Sequence, residues 1–133
     1  MNPFAGPSIA MTMLAATAQI APADRAAILD AARVPVSARL GKPVLFRVNH
    51  IARQGDWAFL YADMQGPGGA PIDLADTPLA DGAAEGMASR SCAVLLHHSG
   101  GGWKAVDSAV GPTDVAWEGW AARHKAPPAI FRF

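Results

Sequence analysis

Apolar and polar residues alternate along residues 44–53 and again along residues 57–64, which predicts two β-strands. The short segment Gln54-Gly55-Asp56 lies between them, and such a glycine-containing connection is typical of a β-hairpin. Successive side chains of a strand point to opposite faces. The first strand is expected to carry Val44, Phe46, Val48 and His50 on one face and Leu45, Arg47, Asn49 and Ile51 on the other. In the second strand Trp57, Phe59 and Tyr61 share one face, and Ala58, Leu60 and Ala62 share the other.

A second hairpin is predicted from residues 90–99 and 103–110. The three glycines between them permit the positive φ angles of a tight turn. Gly111-Pro112 then ends the last strand, and either Thr113 or Asp114 can cap a short helix that runs through Arg123. The residues expected on one face of that helix are Trp117, Trp120, Ala121 and His124.

The segment from Ala23 to Arg33 is predicted to form an amphipathic helix, with Ala27, Ile28 and Ala31 on its apolar stripe. A proline just before it and an acid in its first turn favour a helix start. Pro35 should kink or interrupt the helix. The residues after it can add a turn, and Gly41 is expected to end the helical region.

Residues 65–89 are rich in Gly, Pro, Asp and Ala, and they predict a long crossing loop with a helical turn near Ala83 to Met87. A loop of this length in a compact domain is usually functional or mobile. We therefore expect it to face a working surface.

The predicted fold class is α+β. Its parts are an N-terminal helix packed on a four-stranded antiparallel meander of two hairpins, and a short C-terminal helix. Residues 22–133 are assigned to one domain, and residues 1–21 to an apolar N-terminal segment. A sheet with one apolar face must be covered, and the first helix is the natural cover.

Composition and charge narrow the class of protein. The chain has 133 residues, 51% of them hydrophobic, which is typical of a packed globule. The formal net charge is zero, without the basic surplus that a nucleic-acid partner would require, and zero charge permits self-association. Cys92 is the single cysteine, in an apolar strand, and is interpreted as a small buried hydrophobe rather than a catalytic thiol.

The N-terminal apolar run from Ser8 to Ala21 has two interpretations. Ala16-Thr17-Ala18 matches the small-x-small cleavage pattern of an export signal, which would give a periplasmic or secreted protein. No Lys or Arg precedes the run, which favours an ordinary packing segment and a cytoplasmic protein. The run is too short for a transmembrane helix, which needs about 20 apolar residues.

Two stretches, GDWAFLYADMQGPGGAPID at 55–73 and SCAVLLHHSGGGWKAVDSAVGPTDVAWEGW at 91–120, carry a resemblance. They resemble a family of small uncharacterised bacterial proteins that are often exported. The resemblance covers about Ala26 to Pro127 and implies an accessory or binding role, with no established catalytic residues. The order of elements is also similar to the curved sheet of cystatin and NTF2-type proteins, by topology alone.

The tryptophans provide the first candidate site. Trp57 and Trp103 each follow a turn, so they could flank one end of the sheet as the mouth of a pocket, with Trp117 and Trp120 bordering it. Core packing is the competing interpretation, and Trp120, after Gly119, is expected to be the most exposed. The candidate binding residues are Trp57, Tyr61, Arg90, Trp103 and Trp120.

Polar residues give weaker indications of a functional site than the tryptophans do. His97 and His98 are adjacent on a strand and point to opposite faces, so they cannot share a metal ion, and neither a metal nor another cofactor is predicted. The aspartates near the loop fit turns better than a calcium site. No serine lies in a nucleophile motif. Arg47 and Arg90 could reach an anionic ligand, although arginine is common on a solvated strand face.

Three functions remain open from the sequence. The first is a non-enzymatic module that binds a protein partner or a small ligand. The second is a small NTF2-like pocket enzyme, a hydrolase or isomerase, which would need a titratable group in an apolar cavity. The third is an accessory structural subunit of a larger assembly, indicated by the zero net charge and the apolar segment at 129–133.

Overall fold

The computed structural model describes residues 19–133, and the predictions for residues 1–18 lie outside them. A long helix comes first, two antiparallel hairpins follow, and short helical segments lie after each hairpin, so the fold is α+β as predicted. In chain order the elements are α1 (Pro22–Leu40), β1 (Leu45–Gln54), β2 (Trp57–Gln65), α2 (Ala80–Ala84), β3 (Ser91–Ser99), β4 (Gly102–Val110) and α3 (Trp120–His124).

Helix α1 begins at Pro22 and ends at Gly41, as the sequence signals indicate. Gly41 adopts φ 75° and donates its N–H to the Ser37 carbonyl at 2.8 Å, which confirms the predicted cap. The expected interruption at Pro35 is wrong, because the helix continues to Leu40. The side chains buried against the sheet lie on both sides of the proline, so packing holds the two halves together; they are Ile28, Ala32, Val36 and Leu40.

The apolar stripe of α1 is therefore rotated from the predicted one. Ile28 is buried and Ala31 is partly buried, but Ala27 is exposed. The true stripe repeats every four residues from Ile28 to Leu40, on both sides of Pro35.

The four strands form one antiparallel sheet in the order β1-β2-β3-β4. Each edge strand contains one irregularity. In β1 Val48 pairs with Ala62 and His50 pairs with Tyr61, so Asn49 is an extra residue. A bulge of this kind moves the following side chains to the opposite face. The face assignment predicted for β1 is wrong beyond that point: Ile51 packs towards α1, whereas His50 and Ala52 lie on the other face.

Both faces of the sheet are covered. On one face α1 packs mainly against β4 and β3 and shares a core cluster with Ala58, Leu60 and Ala62 of β2. On the other face the segment from Trp117 to Phe131 packs on Phe59, Ala93 and Leu95. The predicted division of β2 into two faces is confirmed, and the C-terminal segment supplies a cover that the sequence did not indicate.

Residues 66–89 pack closely on the body of the domain. Ile72, Leu74 and Leu79 are buried in the core beneath α1. The amine of Lys42 donates to the Asp73 carbonyl and to Asp76 Oδ1, both at 2.6 Å, and fixes the outer part of the segment. The segment thus contributes to the core on the α1 face of the sheet. The expectation that it faces a working surface stays a prediction.

The C-terminal helix is shorter than predicted. Residues 113–114 form a bend and residues 116–119 a turn, and α3 covers only Trp120–His124, with no side-chain cap. Trp120 is 3% exposed, so the expectation that it is the most exposed tryptophan is also wrong. The bend and the turn fold the chain back over the sheet, and this places the Trp120 ring edge-on to Phe59 at 6.2 Å between centroids.

Candidate functional site

The five candidate binding residues do not gather at one site. Trp57, Tyr61 and Trp120 lie on the face that the C-terminal segment covers, and Trp103 lies on the α1 face. Arg90 is exposed and immediately precedes β3. Trp57 and Trp103 therefore cannot border one pocket. Trp57 contacts His97 at 4.5 Å, whereas Trp103 contacts His98 at 5.1 Å, so the two histidines point to opposite faces as expected.

An aromatic cluster surrounds Phe59, which is fully buried. The Phe131 ring lies 4.7 Å from it and the Trp117 ring 5.8 Å, both tilted. Aromatic pairs at these separations stabilise a fold beyond the burial of their surface. The cluster thus attaches the C-terminal segment to the sheet.

The outer edge of this cluster reaches the protein surface. Tyr61 and Trp117 are in contact at 5.0 Å, and Phe133 lies 5.4 Å from Tyr61 and 6.1 Å from Trp117. Phe133 is 66% exposed and Val115 is 53% exposed. We call this apolar patch, made of Tyr61, Val115, Trp117 and Phe133, the Trp117 surface. The three rings touch, so they leave no room for a ligand between them, and a ligand must lie across them.

Two open clefts adjoin the Trp117 surface and share Val115 and Trp117. The larger, of about 480 Å³, is also lined by Tyr61, Ser91 and Asp114. The smaller, of about 250 Å³, is also lined by Pro128 and Phe131. Both clefts are lined by aromatic and polar side chains.

A polar cleft of about 350 Å³ lies at the end of β1 and β2. We call it the Arg90 cleft, and its lining residues are Arg47, Asp63, Met64, Gln65, Pro71 and Arg90. Arg47 forms an ion pair with Asp63 at 3.0 Å, and Arg90 Nε donates to the Ile72 carbonyl at 2.8 Å. The two arginines named from the sequence are therefore at one site.

An apolar groove of about 340 Å³ separates α1 from β4. Its lining includes Val34, Pro35, Ala38 and Trp103. Val34 is 69% exposed, while the Arg53 guanidinium lies over the Trp103 ring at 5.0 Å. Trp103 is thus a wall of a groove, on the opposite side of the sheet from the Trp117 surface.

Burial, and secondarily the Asp63 carboxylate, raise the pKa of the Cys92 thiol to about 12. Cys92 is 0% exposed, which confirms its interpretation as a buried hydrophobe. His124 and Arg123 both contact Asp107 Oδ2, at 2.8 and 3.0 Å, and hold α3 on β4. Residues 19–133 contain no cluster of three or more His, Cys, Asp or Glu side chains able to hold a metal ion.

Sequence reasoning missed Phe133 and left Trp117 out of the candidate binding residues. The apolar residues after Pro127-Pro128 were the available signal for Phe133. Trp120 was chosen instead of Trp117 because it follows Gly119, although a continuous helix would have placed both on one face. The bend at 113–114 and the turn at 116–119 separate them, so that Trp120 is buried and Trp117 is partly exposed.

No family model, curated protein or solved structure matches the chain. The described part of the chain contains no helix long and apolar enough to cross a membrane.

Proposed function

We propose that this chain is a non-enzymatic binding module that holds a segment of a partner protein on the Trp117 surface. The observation that carries the proposal is the apolar patch of Tyr61, Val115, Trp117 and Phe133, in which Val115 and Phe133 are exposed, beside two open clefts. Exposed apolar patches with polar borders mark interaction sites, and Trp and Tyr are the residues that most often dominate binding energies.

The chain's own C-terminal segment indicates which occupant suits this face. Ile130 is 2% exposed against the sheet, and Phe131 packs on Phe59. A short 3-10 helix, Pro128–Phe131, thus already packs apolar and aromatic side chains on the inner part of the same aromatic cluster. The proposed partner presents a similar apolar and aromatic segment to the outer part.

The packing of the sheet favours this function over a pocket enzyme of the NTF2-like kind. Such an enzyme would need an apolar cavity on the face of the sheet. Phe59 and Leu95, at the centre of that face, are fully buried beneath the C-terminal segment. The remaining clefts are open to solvent, which suits a surface ligand.

The proposal includes export to the periplasm or outside the cell. It is supported by the apolar run from Ser8 to Ala21 and by the resemblance to a family that is often exported. Fractionation of cells that express the full chain tests it, with N-terminal sequencing of the product. Cleavage after Ala18 and recovery from the periplasm are expected; uncleaved protein in the cytoplasm would refute export without touching the binding proposal.

Site-specific photo-crosslinking in living cells tests the Trp117 surface. A photoreactive amino acid is placed at Val115, and in a matched control at Val34, which is exposed on the opposite side of the sheet. The Val115 position should give a discrete product, identified by mass spectrometry, that the Val34 position does not give.

The complex is then rebuilt from purified components. Trp117→Ala should weaken binding about tenfold or more, as expected for an aromatic anchor. Val34→Ser should leave the affinity unchanged, and circular dichroism should show that both variants are folded. Identical products at the two positions, or an affinity unaffected by Trp117→Ala, would contradict the proposal.

A further inference from the structure

The Arg90 cleft contains two guanidinium groups and one carboxylate, so its lining residues carry a net charge of +1 (two Arg minus one Asp). We propose that the Arg90 cleft is a second binding site, which takes a ligand with a carboxylate or phosphate group. This site is independent of the partner proposed for the Trp117 surface.

The Asp63 carboxylate, whose side chain is 35% exposed, already has several partners within the protein. Arg47 contacts its Oδ2 at 3.0 Å, and Asn49 donates to its Oδ1 at 3.1 Å. The Ser91 hydroxyl lies 3.4 Å from the same Oδ1. Asp63 therefore positions Arg47 at the rim, and its own charge is largely compensated.

Arg90 is held in a way that leaves its terminal nitrogens available. Its Nε donates to the Ile72 carbonyl at 2.8 Å, and its backbone carbonyl accepts the Met64 N–H at 2.7 Å. No acidic side chain among residues 19–133 forms an ion pair with it. The two terminal nitrogens form a planar fork, which matches two oxygens of a carboxylate or phosphate group.

The other walls define the size of the ligand. Gln65 can add a hydrogen-bond donor, while Pro71 provides an apolar wall. The bridge between Gln65 and Pro71 fixes the distance between these two walls. A volume of about 350 Å³ is enough for a small organic anion and lies at the lower end of the usual range for ligand pockets.

The test titrates the full chain with inorganic phosphate or with acetate. The amide chemical shifts in NMR spectra report the binding of each probe. Sodium chloride at the same ionic strength is the reference, because it screens charge without offering a fork of oxygens. Saturable shifts confined to residues around Arg47, Gln65 and Arg90 are expected. The affinities of the cleft for phosphate and for acetate show whether it prefers a phosphate or a carboxylate group.

Three variants distinguish a specific site from a general attraction of anions to positive charge. Arg90→Gln should weaken binding of the tighter probe about tenfold, the size expected for a charge-assisted pair of hydrogen bonds. Arg90→Lys keeps the charge but lacks the fork, so it should also bind several-fold more weakly than the wild type. Arg25→Gln removes the same charge from an exposed position on α1 and should have no effect.

The amide spectrum of each variant without ligand checks that it is folded. Shifts no larger than those in sodium chloride would overturn the proposal, and so would shifts spread over all basic residues. Equal affinities for the Arg90→Lys variant and the wild type would also overturn it, because the guanidinium fork would then be irrelevant.

Discussion

The Phe133 ring stacks on the imidazole of His50, with 4.4 Å between the ring centroids and 13° between the ring planes. His50 Nε2 also lies 2.7 Å from the Ile130 carbonyl oxygen, which it contacts as a hydrogen-bond donor in the matching tautomer. One side chain of β1 thus binds the C-terminal segment twice, through a ring and through a hydrogen bond. The β1 bulge at Asn49 makes this possible, because it turns His50 to the face that the segment covers.

Phe133→Ala should loosen the C-terminal end without unfolding the domain. Because Phe133 is 66% exposed, its ring contacts rather than burial provide most of its effect, and the free energy of unfolding should fall by about 0.5–1.5 kcal/mol. Urea denaturation measures the change. The NMR signals of the His50 ring should also shift, since the neighbouring ring current is lost. Met87→Ala, at a 70% exposed position outside the aromatic cluster, is the control; unchanged His50 signals in Phe133→Ala would refute the stacking.

Trp120 should be the tryptophan on which the C-terminal cover depends most. It is 3% exposed and packs with Phe59 and Ile130 in one core cluster. Trp120→Ala is therefore expected to lower the free energy of unfolding by about 3–5 kcal/mol, the usual effect of removing a large buried aromatic. Trp117→Ala, at a partly exposed position, should lower it by clearly less. Equal losses in urea denaturation would show that the two side chains are buried alike.

Local signals in the sequence were enough for the hairpins, the two faces of β2 and the end of α1, because each depends on residues close in the chain. Gly41 is an example: a single glycine after the last apolar residue specifies the cap. The bulge at Asn49 could not be predicted, since it is defined by pairing with β2. The burial of Trp120 and the exposure of Trp117 depend on how the C-terminal segment folds back over distant strands. The candidate site therefore escaped prediction where it depended on long-range packing.

Gly41 and Gly111 form a matched pair for testing close packing. Their φ angles are 75° and 74°, so an alanine meets the same backbone strain at both. A Cβ at Gly41 would have no atom within 4 Å, whereas one at Gly111 would lie 3.0 Å from Leu79 Cδ1 and 3.2 Å from the Ser89 carbonyl oxygen. Gly41→Ala should destabilise the fold by about 1–2 kcal/mol, the strain alone. Gly111→Ala should add about 1–3 kcal/mol for overpacking. Equal unfolding midpoints in urea would contradict the close contact between Gly111 and the α2 region.

The contact between Lys42 and Asp76 should make the attachment of residues 66–89 sensitive to acid. The Lys42 amine, by its hydrogen bond and its charge, holds the pKa of the Asp76 carboxyl below its ordinary value of 3.8. A carboxyl with a lowered pKa in the folded state stabilises the fold above its unfolded pKa, and this stabilisation is lost as the pH falls through the folded pKa.

Hydrogen exchange of the Thr77 and Ala80 amides, which bond to Leu74 and Thr77 carbonyls, reports on this segment. At about pH 6 Asp76→Asn should exchange faster than the wild type, and this difference should shrink as the pH falls below 3.8 towards the lowered pKa of Asp76. Asp81→Asn, at an exposed aspartate without an ion pair among residues 19–133, should match the wild type throughout. If the difference in exchange rate between Asp76→Asn and the wild type grew as the pH falls, it would contradict a stabilising contact between Lys42 and Asp76.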